Sequence, residues 1–528
     1  MKPRWQKDYE IDISDSDEAL YALMTYNTDV PTNYDEIKLR RDKAQWENAV
    51  SEELKVLEQS ETWKIMPTPE NKNLLDSKWV FTRKEVGGQE ICKARLVVKG
   101  FQQKDNLEDT YSPVLKIQTL RVLLSIAAHK NYNIHQMDVK GAFLYGRIDE
   151  EVYLKSPQGL KLTEGHVLKL LKSLYGLKKS PKYWYEKFTD VITSYGFERS
   201  QNDYCLYRKG EIYLLIHVDD LLLVGPNDNL IVSVKNFLNT KFRMKDLGKN
   251  NLIYLGISIN KVRDTIVLNQ TKYLQNVVRK YNMENCKGID TPMENNFKYE
   301  YVESEVDMTL ENQCRSLIGS VMYAMISTRP DLATAISYLS RFQSRPSLKL
   351  WKALKRVLRY VKETVNYNLV YCKNDCNTLI GYADADFARE SDRKSTSGYL
   401  FQLFGNTVTW RSKKQSTVAL STTESELIAL CEASVEACWL IKLLTDFNID
   451  IKNVIIYEDN QSTMKTVNNP DQKRLKHVDV KYNFIKQKVE EGIIKVKYVS
   501  TTEQIADVFT KPLVREKFSK LVKLLNLC

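Results

Sequence analysis

Asp219-Asp220 lies between two apolar runs, Ile212–Val218 and Leu221–Val224. That pattern is a β-hairpin with a charged tip, so the chain must build a sheet around it. Alone, an acidic pair between strands is an ordinary turn. The flanking segments define the fold. Trp46, Val50, Leu54 and Leu57 follow helical spacing over 42–59. Lys78–Lys84 and Ile91–Lys99 read as short strands, with Gly87-Gly88 as a hairpin signal between them. Leu120–His129 reads as a helix, Tyr132–Met137 as a strand ending at Asp138, and Lys182–Tyr195 as a helix stopped by Gly196. Helices interleaved with hairpins predict a mixed α/β (α+β) sheet rather than a doubly wound one.

Residues from about 270 to 370 read as mostly helical. Their clearest element is Ser347–Lys362, where Trp351, Leu354, Leu358 and Val361 form one face and Lys352, Lys355, Arg356 and Arg359 lie elsewhere. A second α/β unit begins near Thr378. Its strands are expected at Leu379–Ala383, Tyr399–Phe404 and Thr407–Trp410, followed by a helix over Thr422–Asp446. A strand at Val454–Tyr457, two further helices and a last strand at Ile494–Val499 complete it.

A chain of 528 residues exceeds one hydrophobic core, and its length predicts three or four units. The formal charge of +11 favours a polyanionic partner, because lysines that displace counterions from phosphates gain binding free energy. Nine cysteines without a CxxC pair argue for reduced thiols inside a cell, against disulfides and against a zinc module. No stretch approaches 18 apolar residues and the N-terminus lacks an apolar export signal, so neither a membrane span nor secretion is expected.

The chemistry follows from carboxylate placement. Forming a phosphodiester bond uses two divalent ions roughly 3.5–4 Å apart. Mg²⁺ takes hard oxygen ligands, so two or three convergent Asp side chains suffice. A strand-end Asp138 and a hairpin pair Asp219-Asp220 on an adjacent strand fit that plan. Three strings occur in order: Gln136-Met137-Asp138-Val139-Lys140-Gly141-Ala142-Phe143-Leu144, then Leu174-Tyr175-Gly176-Leu177-Lys178-Lys179-Ser180-Pro181, then His217-Val218-Asp219-Asp220-Leu221-Leu222-Leu223.

With these blocks the chain resembles the reverse transcriptases of copia-type retrotransposons, those of insects included, from about Tyr34 to Leu513. Further matching strings are Ser77-Lys78-Trp79-Val80-Phe81, Lys93-Ala94-Arg95-Leu96-Val97 and Cys314-Arg315-Ser316-Leu317-Ile318-Gly319. The resemblance implies a right-hand polymerase of fingers, palm and thumb, with Asp138, Asp219 and Asp220 as catalytic metal ligands. It implies that Phe143 excludes a ribose 2′-hydroxyl and that Tyr175 and Gly176 pack the incoming nucleotide. Arg95, and less specifically Lys93, would hold the triphosphate. Many relatives carry Tyr where this chain has His217, a smaller side chain that can ionise. Leu255-Gly256 after Tyr254 resembles the primer-grip region.

The second half carries Gly381-Tyr382-Ala383-Asp384, Ser425-Glu426-Leu427-Ile428-Ala429-Leu430, Tyr457-Glu458-Asp459-Asn460-Gln461 and Gln504-Ile505-Ala506-Asp507. This order resembles copia-type ribonuclease H and implies Asp384, Glu426, Asp459 and Asp507 as catalytic metal ligands. Asp386 and Glu424 are the local competitors. Glu424 stands roughly 200° around a helix from Glu426, so only one of them can face a given site. An integrase set fails, because position 495 is Lys495. The His-bearing loop of cellular relatives is absent before Gln504, and His477 matches the copia pattern. Arg411, Lys413, Lys414, Lys473, Arg474 and Lys476, with Lys182, Tyr183, Trp184 and Tyr185, are candidates for a hybrid-duplex path.

The expected organisation is a linker at 1–35, fingers and palm at 36–270, and a helical thumb or connection at 271–372. A ribonuclease H-like domain at 373–513 and a tail at 514–528 follow. Mg²⁺ is the expected ion, with Mn²⁺ as the alternative. An RNA template, a DNA primer, the RNA–DNA hybrid and deoxynucleoside triphosphates are the expected partners, and the oligomeric state stays open. The resemblance further implies the C-terminal portion of a Pol polyprotein, acting in the cytoplasm within virus-like particles. Two other readings remain: a decayed or domesticated nucleic-acid-binding protein that kept the fold without catalysis, and a DNA-templated polymerase. A ribonuclease H-like half disfavours the latter.

Overall fold

The computed structural model describes residues 30–86, 89–103, 110–299, 308–374, 376–468 and 479–528. The charged hairpin lies in the middle of a six-stranded sheet. Its strands are Ile212–His217 and Asp220–Gly225, with Tyr213 opposite Val224 and His217 opposite Asp220. Asn133–Val139 pairs antiparallel with Asp220–Gly225, and Met244–Gly248 forms the edge beyond it. Leu206–Lys209 and Glu198–Arg199 extend the other side. Leu214, Leu215, Leu221, Leu222 and Leu223 are all buried without alternation. Strands covered on both faces have no reason to alternate, which explains the two apolar runs. Trp184 and Phe188 from helix Ser180–Ser194, and Ile231, Val234 and Leu238 from helix Asp228–Lys241, share their core.

The ribbon Ser77–Val86 with Gln89–Val98 is antiparallel and sets Val80 opposite Arg95, while Gly87-Gly88 lies outside the described residues. Beside it stands a four-stranded sheet of Trp63–Pro67, His166–Leu170, Tyr153–Leu154 and Leu74–Leu75. Strands of two to five residues are too short to show a period, so sequence reasoning passed over them. Trp46 and Leu57 of helix Lys43–Gln59 join Leu96 and Leu168 in this smaller core. The expected linker at 1–35 falls mostly outside the described residues. Its described end enters a helical turn, Tyr34–Ile37, capped by the Asn33 side chain.

Helices Thr271–Lys280, Met308–Ser327, Ala333–Leu339 and Leu348–Glu363 form the expected helical stretch. The last is capped by Ser347, whose side chain accepts from the Leu350 amide. An unanticipated four-stranded sheet frames them: Leu252–Tyr254, Ile257–Val262, Thr265–Asn269 and Leu369–Cys372.

The C-terminal sheet has the expected strands, each ending within a few residues of its expected limits. Its order is Asn406–Lys414, Thr396–Leu403, Leu379–Asp386, Val454–Glu458 and Ile494–Tyr498. The first three are antiparallel neighbours, and the last two join in parallel. Helix Thr422–Asp446 packs across them. Helices Gln461–Asn468, Asp479–Glu490 and Arg515–Leu524 complete this half. Among the described residues no helix is long and apolar enough to cross a membrane.

One apolar core runs through both halves, from Leu120 and Leu222 to Phe401, Leu427 and Leu440. Helix Ile117–His129 is the seam. Its Arg121, 2% exposed, donates to the carbonyls of Ser327 at 3.0 Å and Val408 at 2.6 Å. The same guanidinium lies 3.7 Å from the Trp410 ring centroid. Ser125 donates to the Leu403 carbonyl, and His129 stacks on Phe404. Elsewhere on the seam, the Tyr213 hydroxyl donates to the Phe447 carbonyl at 2.7 Å.

Truncating Arg121 strands those carbonyls and empties a stacked site. Arg121→Ala is expected to cost about 3 kcal/mol in urea unfolding, and Arg121→Lys should recover only part of it. A change under about 0.5 kcal/mol, the scale of an ordinary surface substitution, would mean the seam does not depend on this residue.

Candidate active sites

The first site is built on the hairpin tip. Asp138 and Asp220 are cross-strand partners, so their side chains leave the same face of the sheet. Asp219 occupies the turn, and its carbonyl accepts from the Val139 amide at 2.7 Å. Val218 precedes it at φ 55°, a left-handed conformation that a β-branched residue resists. The Trp184 indole donates to the Val218 carbonyl at 2.6 Å and holds that turn. Strain of this kind, fixed by a neighbour, is characteristic of working sites.

Gln136 organises the carboxylates from beneath. It is 3% exposed, and its amide donates to Asp220 Oδ1 and to the Ile253 carbonyl, both at 2.8 Å. Its oxygen accepts from the Ile253 amide at 3.2 Å. Ile253 belongs to a strand that turns back at Leu255-Gly256, both at positive φ. The expected primer-grip segment is therefore tied to Asp220 through one side chain. Burial pushes the Asp219 carboxyl upward, the negative charge of Asp138 adds to that, and Arg95 opposes it. Burial likewise pushes Asp220 up to about 7, against the Gln136 hydrogen bond and with the charges of Asp219 and Asp138.

The residues expected at the nucleotide come from three separate segments. The Phe143 ring meets Tyr175 edge-on at 4.7 Å, and the Arg95 guanidinium lies 5.0 Å from the Tyr175 centroid. Gly176 sits at φ 93°, where a Cβ would collide with the Val98 carbonyl oxygen. Only glycine lets this loop close against the ribbon. Lys93, exposed, lies two residues before Arg95 on the same ribbon face.

The second site lies at strand ends of the five-stranded sheet. One ligand oxygen from each of Asp384, Glu426 and Asp459 can be chosen so that all three fall within 4.8 Å of one another. Asp384 lies buried within its strand, which runs past the expected end at Ala383 to Asp386, and Asp459 follows the end of Val454–Glu458. Glu426 projects from the first turns of helix Thr422–Asp446. The competitor Glu424 is used otherwise: the Leu420 amide donates to its carboxylate at 2.6 Å, and its own amide donates to Ser421. That is a capping arrangement, which explains why Glu426 and not Glu424 faces the cluster. Asp386 is drawn to Arg389 at 3.6 Å.

Burial raises the carboxyls of Asp384, Glu426 and Glu458, and their mutual negative charges raise them further. Glu426 Oε2 is buried without a hydrogen-bond partner. A carboxylate oxygen left so among other carboxylates suits a hard cation.

Two expected ligand sets are not gathered as tightly. Among the described residues, Asp384, Glu426 and Asp459 are the single cluster of at least three ligands at that spacing. Asp138, Asp219 and Asp220 share the hairpin end without reaching that spacing, and Asp220 Oδ1 accepts from Gln136 instead. Asp507 is not in that group and is met by two ammonium groups: Lys511 Nζ is 2.5 Å from Oδ1, and Lys517 bonds Oδ2. Glu458, fully buried beside Glu426, was not singled out from the sequence, although it adjoins Asp459. Gln136, Trp184 and Lys511 were also missed as supporting residues. Of the proposed duplex path, Lys414 pairs with Glu390 and Asp392, and Tyr183 and Tyr185 donate to Asp149 and the Tyr204 carbonyl. Lys473, Arg474, Lys476 and His477 lie outside the described residues.

Residues 60–295 match the family model described as reverse transcriptase (RNA-dependent DNA polymerase). The chain is 38% identical to the "Retrovirus-related Pol polyprotein from transposon TNT 1-94" of Nicotiana tabacum, over 96% of this chain and 40% of that protein. It is 34% identical to the corresponding polyprotein from transposon RE1 of Arabidopsis thaliana, over 90% and 33%. It is 27% identical to the "Transposon Ty1-H Gag-Pol polyprotein" of Saccharomyces cerevisiae, over 96% and 29%. The chain thus spans 40% or less of these relatives. Its residues 60–295 form a reverse transcriptase segment. The chain belongs with the Pol polyproteins of copia-type (Ty1/copia) retrotransposons.

The raised Asp220 carboxyl has a pH signature in protein stripped of divalent ions. The unfolded chain loses this proton near 3.8 and the folded protein near 7, so the penalty grows between those values and is constant above. Asp220→Asn should therefore stabilise the protein on the order of 2–4 kcal/mol at pH 8, fading to nothing near pH 4. A gain independent of pH would remove this account of the shift.

Proposed function

We propose that the chain is the polymerase and ribonuclease H portion of a copia-type Pol polyprotein. It copies RNA into DNA and hydrolyses the RNA strand of the resulting hybrid. One observation carries this reading: the chain holds two carboxylate centres on two different sheets. Asp138, Asp219 and Asp220 lie in the segment that matches reverse transcriptases, and Asp384, Glu426 and Asp459 lie beyond it. In this reading 36–270 are fingers and palm, 271–372 the thumb or connection, 373–513 the ribonuclease H-like domain and 514–528 the tail.

Asp138 and Asp219 would hold divalent ions at the primer end, with Asp220 beside them. Asp384, Glu426 and Asp459, joined by Asp507, would hold them at the RNA strand. The donors are all hard carboxylate oxygens, which suits Mg²⁺, with Mn²⁺ as the alternative. Such ions, when bound, activate the attacking hydroxyl or water and offset charge on the leaving oxygen. The chain's own groups do the positioning. Arg95 offers a planar fork to a triphosphate, and its stacking on Tyr175 fixes that fork's direction. Phe143, packed on the other ring contact of Tyr175, presents a rigid wall to the sugar. A net charge of +11 supports an RNA template, a DNA primer and their hybrid as partners.

Primer extension on poly(rA)·oligo(dT) and hydrolysis of a labelled RNA–DNA hybrid test both halves. Asp219→Asn should lower extension by more than about two orders of magnitude while leaving hydrolysis intact. Glu426→Gln should do the reverse. Equal incorporation by wild type and Asp219→Asn would sink the polymerase assignment. No activity of either kind in the wild type would favour a non-catalytic nucleic-acid-binding protein.

A further inference from the structure

Lys511 stands where a cation is needed. Its Nζ lies 2.5 Å from Asp507 Oδ1 and 3.5 Å from Asp384 Oδ2, bridging two of the carboxylates assigned to the nuclease. Asp384 Oδ2 also accepts from the Thr510 hydroxyl, and Asp507 Oδ2 from Lys517. Asp384 and Asp507 are almost wholly buried, at 2% and 0% exposure. Lys511 lies just beyond the single 3₁₀ turn Ile505–Phe509, which carries Asp507, and Pro512 follows the lysine directly.

The bridging is one-sided. Lys511 and Lys517 make ion pairs on the Asp384–Asp507 side, where Asp507 Oδ1 meets Lys511 but accepts no hydrogen bond. Glu426 Oε2 on the other side is equally without a hydrogen bond, and its charge is met by neither lysine within ion-pair distance. A buried charge needs compensation from some source, and on one side of this cluster the chain supplies it itself.

We propose that Lys511 is a built-in counter-cation of the nuclease centre, competing with a divalent ion for the Asp384–Asp507 side and yielding that side only by moving out. The inference rests on the nuclease reading above. A divalent ion and an ammonium group cannot both lie within bonding distance of the same two carboxylates without strong repulsion. The way out is present. Lys511 also lines a cavity of about 590 Å³ whose other walls include Lys298, Arg389 and Lys517. That cavity is itself basic, so the displaced ammonium leaves two carboxylates for three cations. Divalent binding at this side is therefore weakened by the lysine, and the weakening is a property of the chain rather than of the carboxylates.

Mn²⁺ titration of the full-length chain, followed by calorimetry and by thermal unfolding, reads this directly. Sites that disappear in Glu426→Gln define the nuclease cluster. Lys511→Met, which keeps the stem and removes the charge, should tighten Mn²⁺ binding there at least about tenfold. It should also lower the melting temperature in EDTA and enlarge the rise on adding Mn²⁺. Lys511→Arg, which keeps the charge, should stay near wild type. Equal Mn²⁺ affinity in wild type and Lys511→Met overturns the proposal while leaving the nuclease reading intact. If Glu426→Gln subtracts no site from either protein, the nuclease reading itself falls. Should Lys511→Met not fold, amine acetylation of the wild type read by mass spectrometry decides. Lys511 should become more reactive when Mn²⁺ is added, and unchanged reactivity overturns the proposal.

Discussion

Like charges forced together at buried strand ends are the constraint around which this molecule is arranged. Each sheet brings carboxylates side by side, half-buried at the hairpin and almost wholly buried in the second sheet, and both burial and mutual repulsion work against their ionised forms. A fold selected for stability alone would not do this. Much of the surrounding structure reads as compensation. Gln136 donates to Asp220, Arg95 lowers the cost of Asp219, and Lys511 and Lys517 neutralise Asp507.

The two centres solve the same problem with different parts. At the hairpin, the compensation is mainly a neutral amide and a distant guanidinium, and the turn itself is strained at Val218 and clamped by Trp184. In the second sheet, it comes from ammonium groups in direct contact. The difference follows from local architecture. A hairpin tip is open on one side and leaves its carboxylates half-buried, so water shares the load. The second cluster is closed over by helix Thr422–Asp446 and the 505–509 turn, so charge must be met with charge.

The parts legible in the sequence were those with a local signature. The hairpin around Asp219-Asp220, the helix Thr422–Asp446 and the strand that carries Asp384 all follow from runs long enough to show a period or a cap. The short strands 63–67, 74–75 and 153–154 offer no such run, and the sheet 252–372 unites segments separated by a hundred residues. The roles of Glu424 and Glu426 differ by two helix positions, and the capping contact that separates them is visible only in three dimensions. Lys511 was illegible for a simpler reason. A lysine four residues after an aspartate is ordinarily a surface pair, and nothing in the string reveals that the aspartate is fully buried.

Neither centre is mechanically independent of the other. Helix Ile117–His129 packs on the same core as the strand bearing Asp138, and its other side is fastened by Arg121, Ser125 and His129 to the strands beside Asp384. Of those strands, Thr396–Leu403 pairs antiparallel with Leu379–Asp386, and Asn406–Lys414 pairs with Thr396–Leu403 in turn. Tyr213, on the hairpin itself, donates to the carbonyl of Phe447 at the end of the helix that carries Glu426. Interiors packed this densely do not deform continuously, so a shift at one sheet must be absorbed along that seam or transmitted across it. The continuous core thus fixes the distance between the two centres, which separate domains on a flexible linker would leave free.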